Sequence, residues 1–445
     1  MLTSNDGCYS LAPWIRSAVR GSPLMLLLVC LVGLAGCSAS STSVASLDVW
    51  VETGTPEELQ TVTSQVEVFN AEHPAGPTVN LRVIAEGDYG TEVQAAAASG
   101  ALPDVFQVDG PMLASLEFQG ALADLKQLLP EETTAAILPS LLAQGTVNDH
   151  LVGIGVYDSG LGIFGNRRLL AAAGVDYPVG VEETWTAAEF TAAVTQLAAA
   201  DPDGLVLDLK RSYGVGEWLT YGFAPLIWSA GGDLVDRGSG RAEGVLDGPE
   251  SVLAMTRLQE WAAYVDPDDD GDAFIAGDVA LSWVGHWAYP QYAAALGDDL
   301  VVLPLPDLGF GPKTGQGSWA WGVGASSDNQ QAAGSFLAFL LSAEQVERMS
   351  TANGAVPGRT DVLADSPLYG RTGPLALLSY QLDRTCGDGG PRPDCIAVRR
   401  PATPDYPMIS AHVALAIDAI LRGADPQESL SNAAAAIDRE RASLD

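Results

Sequence analysis

Lysine is nearly missing from this sequence: only Lys126, Lys210 and Lys313 occur, and 22 basic residues in all face 56 acidic ones, for a formal charge of -34. A phosphate backbone or an anionic membrane face is bound through clustered Lys and Arg, so nucleic acid is excluded as a partner. Histidine is as scarce, with four residues, which leaves little room for metal or triad chemistry. No phosphate-cradling G-x-x-x-x-G-K-[ST], no H-E-x-x-H, no dinucleotide fingerprint after the first strand and no G-x-S-x-G elbow occurs, and no cofactor is implied. No internal repeat occurs either, which excludes a solenoid or propeller.

What is present is a chain of 445 residues, 47% hydrophobic and 18% charged. That is enough to bury a large core, and at this length two lobes are the default. Arg16 and Arg20 precede an 11-residue apolar run, Leu24 to Leu34, too short for a bilayer but of the size of a secretory signal core. It ends in Leu34-Ala35-Gly36-Cys37, which resembles the bacterial lipobox, in which the Cys is acylated and becomes the new N-terminus. The resemblance implies a signal peptide over residues 1–36, a lipid on Cys37 and a flexible Ser-rich tether over 37–46. An ordinary signal peptide cut near Ala35, or an N-terminal membrane anchor, is the plainer alternative.

Five Cys occur. Cys8 and Cys30 would leave with the signal and Cys37 would carry lipid, so Cys386 and Cys395 remain as a pair. In an oxidising compartment they are expected to be joined, a closure worth about 2–3 kcal/mol. Two free thiols or half a metal site are the alternatives, although no His or further Cys lies near enough in sequence to complete a zinc spacing.

The mature chain alternates strands and helices. Leu47-Asp-Val-Trp-Val51 reads as a strand, and Thr55-Pro56-Glu57-Glu58 supplies an N-cap, Pro at the first helical position and Glu at the third. Leu59, Val62, Val66 and Phe69 then put one apolar stripe on a helix. Val79 to Ile84 reads as a second strand, Thr91 to Ser99 as a helix, and Asp104-Val-Phe-Gln-Val-Asp109 as a third strand. Capping boxes recur at Thr186-Ala-Ala-Glu189 and Asp425-Pro426-Gln-Glu428. This is the α/β pattern of a sheet covered on both faces.

Two acidic features invite chemistry. Asp266-Pro-Asp268-Asp-Asp270-Gly271 imitates the first half of a calcium loop, but Gly277 stands where the closing Glu belongs. A solvated acidic turn is the plainer reading, and no metal is expected. Asp109 and Asp158 could in principle be the paired carboxylates of a glycosidase. Ten Trp occur, and Trp283, Trp287, Trp319 and Trp321 fall within 39 residues in segments rich in Gly and Ser. Sugar rings present an apolar C–H face and a belt of hydroxyls, so flat aromatics beside carboxylates and amides suit a sugar site, against the bland reading of core Trp.

The stretch from about residue 47 to 445 resembles the extracellular solute-binding proteins of carbohydrate ABC importers. The likeness rests on Phe69-Asn-Ala-Glu-His-Pro74, Ala98-Ser-Gly100 with Pro103-Asp-Val-Phe-Gln-Val-Asp109, Gly120-Ala-Leu-Ala-Asp-Leu125 and Thr184-Trp185. Further matches are Ser229-Ala-Gly-Gly-Asp233, Phe274-Ile-Ala-Gly-Asp-Val-Ala-Leu281, Pro304-Leu-Pro306 and Asn353-Gly-Ala-Val-Pro357. Val156-Tyr-Asp158-Ser-Gly-Leu, His286-Trp287-Ala-Tyr289 and Arg400-Pro-Ala-Thr-Pro-Asp-Tyr-Pro-Met-Ile-Ser410 make the trehalose/maltose-binding branch the nearest in kind.

The resemblance implies a two-lobed periplasmic-binding-protein-like fold of type II with the ligand cleft between the lobes. One lobe would hold residues 47–156 and 277–312, the other 157–276 and 313–445, with crossings near Val156–Asp158, Ala276–Val279 and Phe310–Ser318. It implies that Asp109 and Asp158 accept hydrogen bonds from sugar hydroxyls, and that Trp287 and Trp321 stack on the rings. Tyr289 and Arg400 would add polar contacts and Glu58 would reach in from the first helix, with Trp50, Tyr89 and Trp319 as weaker candidates. Asp109, Glu58 and Trp287 would come from one lobe, and Asp158, Trp321 and Arg400 from the other. The implied partners are a small-molecule sugar and ABC permease subunits, bound by a lipid-anchored, extracytoplasmic monomer that is no enzyme. Trp319-Ala-Trp321 where the branch has Gly-Gly-Trp, and Asp88-Tyr89-Gly90 where it has an Arg-bearing helix start, leave the sugar's identity open. A non-sugar solute on the same fold and an exported carbohydrate-active enzyme are the competing readings.

Overall fold

The structure is a computed structural model that describes residues 46–180, 182–267 and 269–443. The signal segment, Cys37 and nearly all of the tether lie outside the described residues. Among the described residues, no helix is long and apolar enough to cross a membrane.

Strand β1 (Ser46–Glu52) buries Leu47, Val49 and Val51 on one face and pairs in parallel with β2 (Thr78–Ile84) and β3 (Val105–Asp109). Between them run the helices Pro56–Glu72 and Glu86–Ser99. The first opens with the expected capping box: the Glu58 N–H donates to Thr55 Oγ1 at 3.2 Å and the Thr55 N–H to Glu58 Oε2 at 3.1 Å. Two otherwise orphaned N–H groups are thereby satisfied. The second starts five residues earlier than its sequence signal, with Gly87 and Gly90 inside it, and ends on Gly100 at φ 67°, the left-handed cap that glycine adopts at no steric cost.

A short hairpin, β4 (Thr146–Val147) and β5 (His150–Leu151), precedes β6 (Ile154–Gly155), β7 (Tyr157–Asp158) and β8 (Leu161–Asn166). Later strands are β9 (Leu207–Asp208), β10 (Leu281–Gly285), β11 (Leu300–Leu303), β12 (Thr314–Gln316), β13 (Trp319–Val323), β14 (Val356–Pro357) and β15 (Ala397–Arg399). They form a five-stranded sheet in the order β2-β1-β3-β13-β6 and a four-stranded sheet in the order β11-β8-β10-β9. Apolar clusters cover both faces of each sheet: Phe69 and Phe336 on one face of the first and Phe106 and Leu113 on the other, Trp283 and Phe164 on opposite faces of the second.

The segments divide between the sheets differently from the sequence expectation. Residues 277–312, expected beside β1, supply β10 and β11 to the second sheet, because β8 pairs with both. Residues 313–445, expected wholly with the second lobe, send β13 back between β3 and β6. The helices Gln330–Leu340 and Ala343–Asn353 follow it and pack on the first helix, where Gln65 Nε2 donates to the Gln345 carbonyl at 3.0 Å. Ala276–Val279 is no crossing, since the strands that follow and flank it stay in the second sheet. The chain passes between the sheets along β7 and β12, and the Thr314 hydroxyl ties β12 to the start of β8, accepting from the Leu161 N–H at 2.8 Å and donating to its carbonyl at 3.0 Å.

The boxes at Thr186 and Asp425 open the helices Ala187–Ala200 and Pro426–Arg441, the latter through the Asp425 carboxylate alone. Cys386 and Cys395 are bonded. Replacement of Thr55 by Ala should lower stability by about 1 kcal/mol. Urea unfolding of the variant checks this, and an unchanged midpoint would mean that the cap is redundant.

Candidate functional site

Because β1 and β3 run in parallel, their carboxyl ends deliver Glu52 and Asp109 to one rim of the first sheet, the side where open α/β sheets place ligands. The capping box brings Glu58 to the same rim. β13 runs antiparallel to β3, so its first residue, Trp319, lies opposite Asp109. Glu52, Glu58, Gln107, Tyr157 and Trp319 line a small cavity of about 40 Å³.

The second sheet contributes through the end of β10, where His286-Trp287-Ala288 makes a 3-10 turn. A Cβ at Gly285 would lie 2.0 Å from the Trp287 ring, so this ring position requires glycine. Trp287 is half-buried, edge-on to Trp218 with centroids 6.0 Å apart and tilted against Tyr221 at 6.5 Å. Trp218 and Tyr221 sit on the first turns of the helix Glu217–Ala230.

A continuous circuit of contacts joins the two sides. Glu58 Oε1 accepts from Asn353 Nδ2 at 2.9 Å and from the Tyr157 hydroxyl at 3.4 Å. Tyr157 meets the His286 ring at 5.6 Å, and His286 meets Trp287 at 5.3 Å. Beyond Tyr221 comes the Arg400 guanidinium, 4.6 Å from that ring, and then Asp109. Arg400 grips Asp109 in a fork of 2.7 and 2.9 Å and gives a further bond to Glu217. Glu217 also accepts from the hydroxyls of Tyr406 and Ser410.

Charge states follow from these surroundings. Burial works against the Arg400 charge, but Asp109 and Glu217 outweigh it and hold its pKa well above the ordinary value. Burial pushes Glu217 up, opposed by Arg400. Burial holds His286 below its usual value. It is therefore neutral at pH 7, and its Nδ1, assigned as the protonated nitrogen, donates to the Asn353 carbonyl at 2.9 Å. The Arg400 Nε–H is buried with no protein partner.

The structure thus brings Asp109, Arg400, Glu58, Trp287 and Trp319 together. Asp109, Glu58 and Trp319 belong to the first sheet's side, while Trp287 and Arg400 belong to the second's, so Trp287 lies across from the lobe expected for it.

Other sequence candidates stand elsewhere. Asp158, expected to accept from a ligand, is fully buried, and its carboxylate takes bonds from Ser140 at 3.0 Å, Gln144 and Gln316 at 3.1 Å each, and the Ser159 N–H at 3.0 Å. It fastens the crossing strands. Burial raises its pKa against those four donors. Trp321 sits in the first sheet's core beside Phe336, 2% exposed. Tyr89 is buried too, with its hydroxyl bonded to the Gln107 carbonyl at 2.7 Å and the Trp50 carbonyl at 3.2 Å. Trp50 lies under Arg82, 4.6 Å from its ring, and half-buried Tyr289 packs on the cluster around Tyr369.

Residues not anticipated are Tyr157, Glu217, Tyr221, Asn353 and Tyr213, the last accepting the Trp287 indole N–H at 3.0 Å. Of these, Glu217 and Tyr221 carried a signal, a four-residue spacing at a helix start that aims both at one side. Asp269 binds the Arg211 side chain at 2.7 Å, and the Lys210 ammonium donates to the Asp270 carbonyl at 2.6 Å and pairs with Asp208 at 3.2 Å. Side-chain cations therefore answer the half calcium loop. Asp268 lies outside the described residues. Among the described residues, no group of three or more His, Cys, Asp or Glu is arranged to hold a metal.

The model of the bacterial extracellular solute-binding protein family matches residues 64–371. The chain belongs to that family. This solute-binding protein superposes on the cyclic α-maltosyl-1,6-maltose binding protein of Arthrobacter globiformis with a TM-score of 0.69 and 25% identity, over 89% of this chain and 98% of that one. It superposes on the GacH receptor of Streptomyces glaucescens GLA.O, solved unliganded and with acarbose, with a TM-score of 0.72 and 23% identity, over 89% and 98% of the chains. For maltose-bound MalE3 of T. maritima the values are 0.73 and 21%, over 89% and 100%. The α/β architecture is that of two-lobed periplasmic binding proteins, and the family's place is outside the cytoplasm.

Asp158 ties the crossing strands together through its four donors. Asp158→Asn turns one acceptor into a donor facing donors, and should cost about 1–3 kcal/mol in urea unfolding. An unchanged midpoint would contradict that reading.

Proposed function

We propose that this protein is the substrate-binding component of an ABC importer for a sugar, a di- or oligosaccharide of the maltose or trehalose type. The observation that carries this reading is the circuit through Glu58, Trp287, Arg400 and Asp109, which sets aromatic faces from one lobe against carboxylates from the other. An aromatic face suits the C–H face of a pyranose, and carboxylates and a guanidinium suit its hydroxyls. The structure of cyclic α-maltosyl-1,6-maltose binding protein supports it as a sugar binder of the same fold at 25% identity.

Ligand bridging both walls would select the closed arrangement of the lobes, the form presented to a permease. No bond is made or broken. A lipid on Cys37 would hold the protein, as a monomer, at the outer face of the membrane. A non-sugar solute is the second reading, and one solved relative of the fold, from Agrobacterium radiobacter K84, is described in complex with ribitol.

A thermal-shift screen against maltose, trehalose, sucrose, longer α-glucans, polyols and amines tests the reading. At a hundred times its dissociation constant a ligand should stabilise the fold by about 2.7 kcal/mol. A disaccharide that raises the midpoint in the wild type but not in Trp287→Ala supports both ligand and site. A polyol or amine that acts where every sugar fails would sink the sugar assignment.

A further inference from the structure

The Trp287 ring is fixed on four sides. Gly285 leaves the space beneath it, Trp218 and Tyr221 flank it, and its indole N–H donates to the Tyr213 hydroxyl at 3.0 Å. Trp218 and Tyr221 belong to a long buried helix, and Gly285 ends a central strand of the second sheet. Tyr213 differs in kind: it is 39% exposed, on a loop between β9 and that helix.

That loop is short and clamped at its base. Lys210 takes a left-handed φ of 55° and starts the 3-10 turn Arg211–Tyr213. The Lys210 N–H donates to Asp208 Oδ1 at 2.9 Å, the Arg211 N–H and Nε–H donate to Asp269 Oδ2 at 3.0 and 2.7 Å, and the Ser212 hydroxyl donates to the Asp269 carbonyl at 2.9 Å. The Tyr213 ring stands edge-on to Trp218, with centroids 5.3 Å apart. On the far side of Gly214 and Gly216 the chain enters its helix at Glu217, the residue that holds Arg400. One arm, residues 210–217, thus reaches both the aromatic floor and the guanidinium of the cleft.

We propose that Tyr213 is a specificity-determining positioning residue, whose hydroxyl sets the pitch of the Trp287 ring toward the ligand. The inference rests on the reading of Trp287 as the surface on which a sugar ring stacks. An indole can rock about its Cβ–Cγ bond because that torsion has a broad minimum, and an edge contact to Trp218 opposes the motion weakly. A hydrogen bond from the indole nitrogen is directional where the ring contacts are not, so it adds a defined angular restraint to the setting of the ring. The tilt decides how deep a pyranose face can settle before its hydroxyls meet Asp109 and Arg400. Tyr213 would therefore discriminate among sugars that share those hydroxyls but differ in the angle between rings.

The test is Tyr213→Phe, which keeps the ring against Trp218 and removes only the acceptor. Its first readout needs no ligand: the indole N–H resonance of Trp287, assigned by its absence in Trp287→Phe. In Tyr213→Phe this resonance should shift and its hydrogen should exchange faster, while the unfolding midpoint stays within about 2 °C because the residue is half exposed. The second readout is calorimetric affinity for maltose and trehalose. Loss of one bond should weaken binding of the better-bound sugar about fivefold and the other less, so that the ratio of the two affinities changes, and Tyr213→Phe should add nothing in the Trp287→Phe background, since the two side chains act as one unit.

An unmoved indole resonance, a large fall in the unfolding midpoint, or an equal loss of affinity in the Trp287→Phe background would overturn the proposal. If Trp287→Ala leaves both affinities intact, the stacking reading fails instead. If neither sugar binds the wild type, the resonance alone decides whether Tyr213 holds the ring.

Discussion

One guanidinium joins the two halves of the cleft. Arg400 comes from the loop after β15, its forked partner Asp109 ends β3 on the other side, and Glu217 holds the same cation from behind. Burying such a charge costs several kcal/mol, and only the two carboxylates together make it tolerable. Their own fixation has separate sources, the Tyr406 and Ser410 hydroxyls for Glu217 and strand pairing for Asp109. The site therefore depends on the approach of the lobes as much as on either lobe. Any ligand that engages Asp109 shares it with Arg400, so the cleft exchanges one set of hydrogen bonds for another.

The elements that local chemistry dictates were legible from the sequence. Thr55 and Glu58, or Thr186 and Glu189, form their boxes because the pairing needs only residues three apart. The alternation in Leu47–Val51 likewise gave β1. Which sheet a later strand joins is a different matter. Nothing local to Leu281–Gly285 says that it will pair with β8 rather than with β3.

The cleft residues show the same divide at finer scale. Trp319 and Trp321 are both large aromatics in a Gly-rich segment, and composition treats them alike. Because β13 runs against β3, Trp319 falls opposite the last residue of that strand while Trp321 falls opposite Gln107, two residues inside, under Phe336. Depth along a strand thus separates a cleft residue from a core residue, and depth is set by register. Asp158 illustrates the converse. A carboxylate in a chain with so few cations reads as available, yet Ser140 and Gln144 from one short helix and Gln316 from a distant strand arrive to occupy it.

The insertion of β13 between β3 and β6 bears on the birth of the molecule as well as its shape. The first sheet has strands from residues 46–155 and then waits for residues 319–323 to fill the gap between β3 and its edge strand β6. Until that piece is present, β3 has one unpaired edge and β6 has no partner in the sheet. Contacts of such long sequence separation form slowly. A chain built this way leaves its first sheet unfinished through most of its synthesis, and that sheet is completed only in the last third of the polypeptide, a timetable compatible with passage through a narrow secretion pore before the native structure locks.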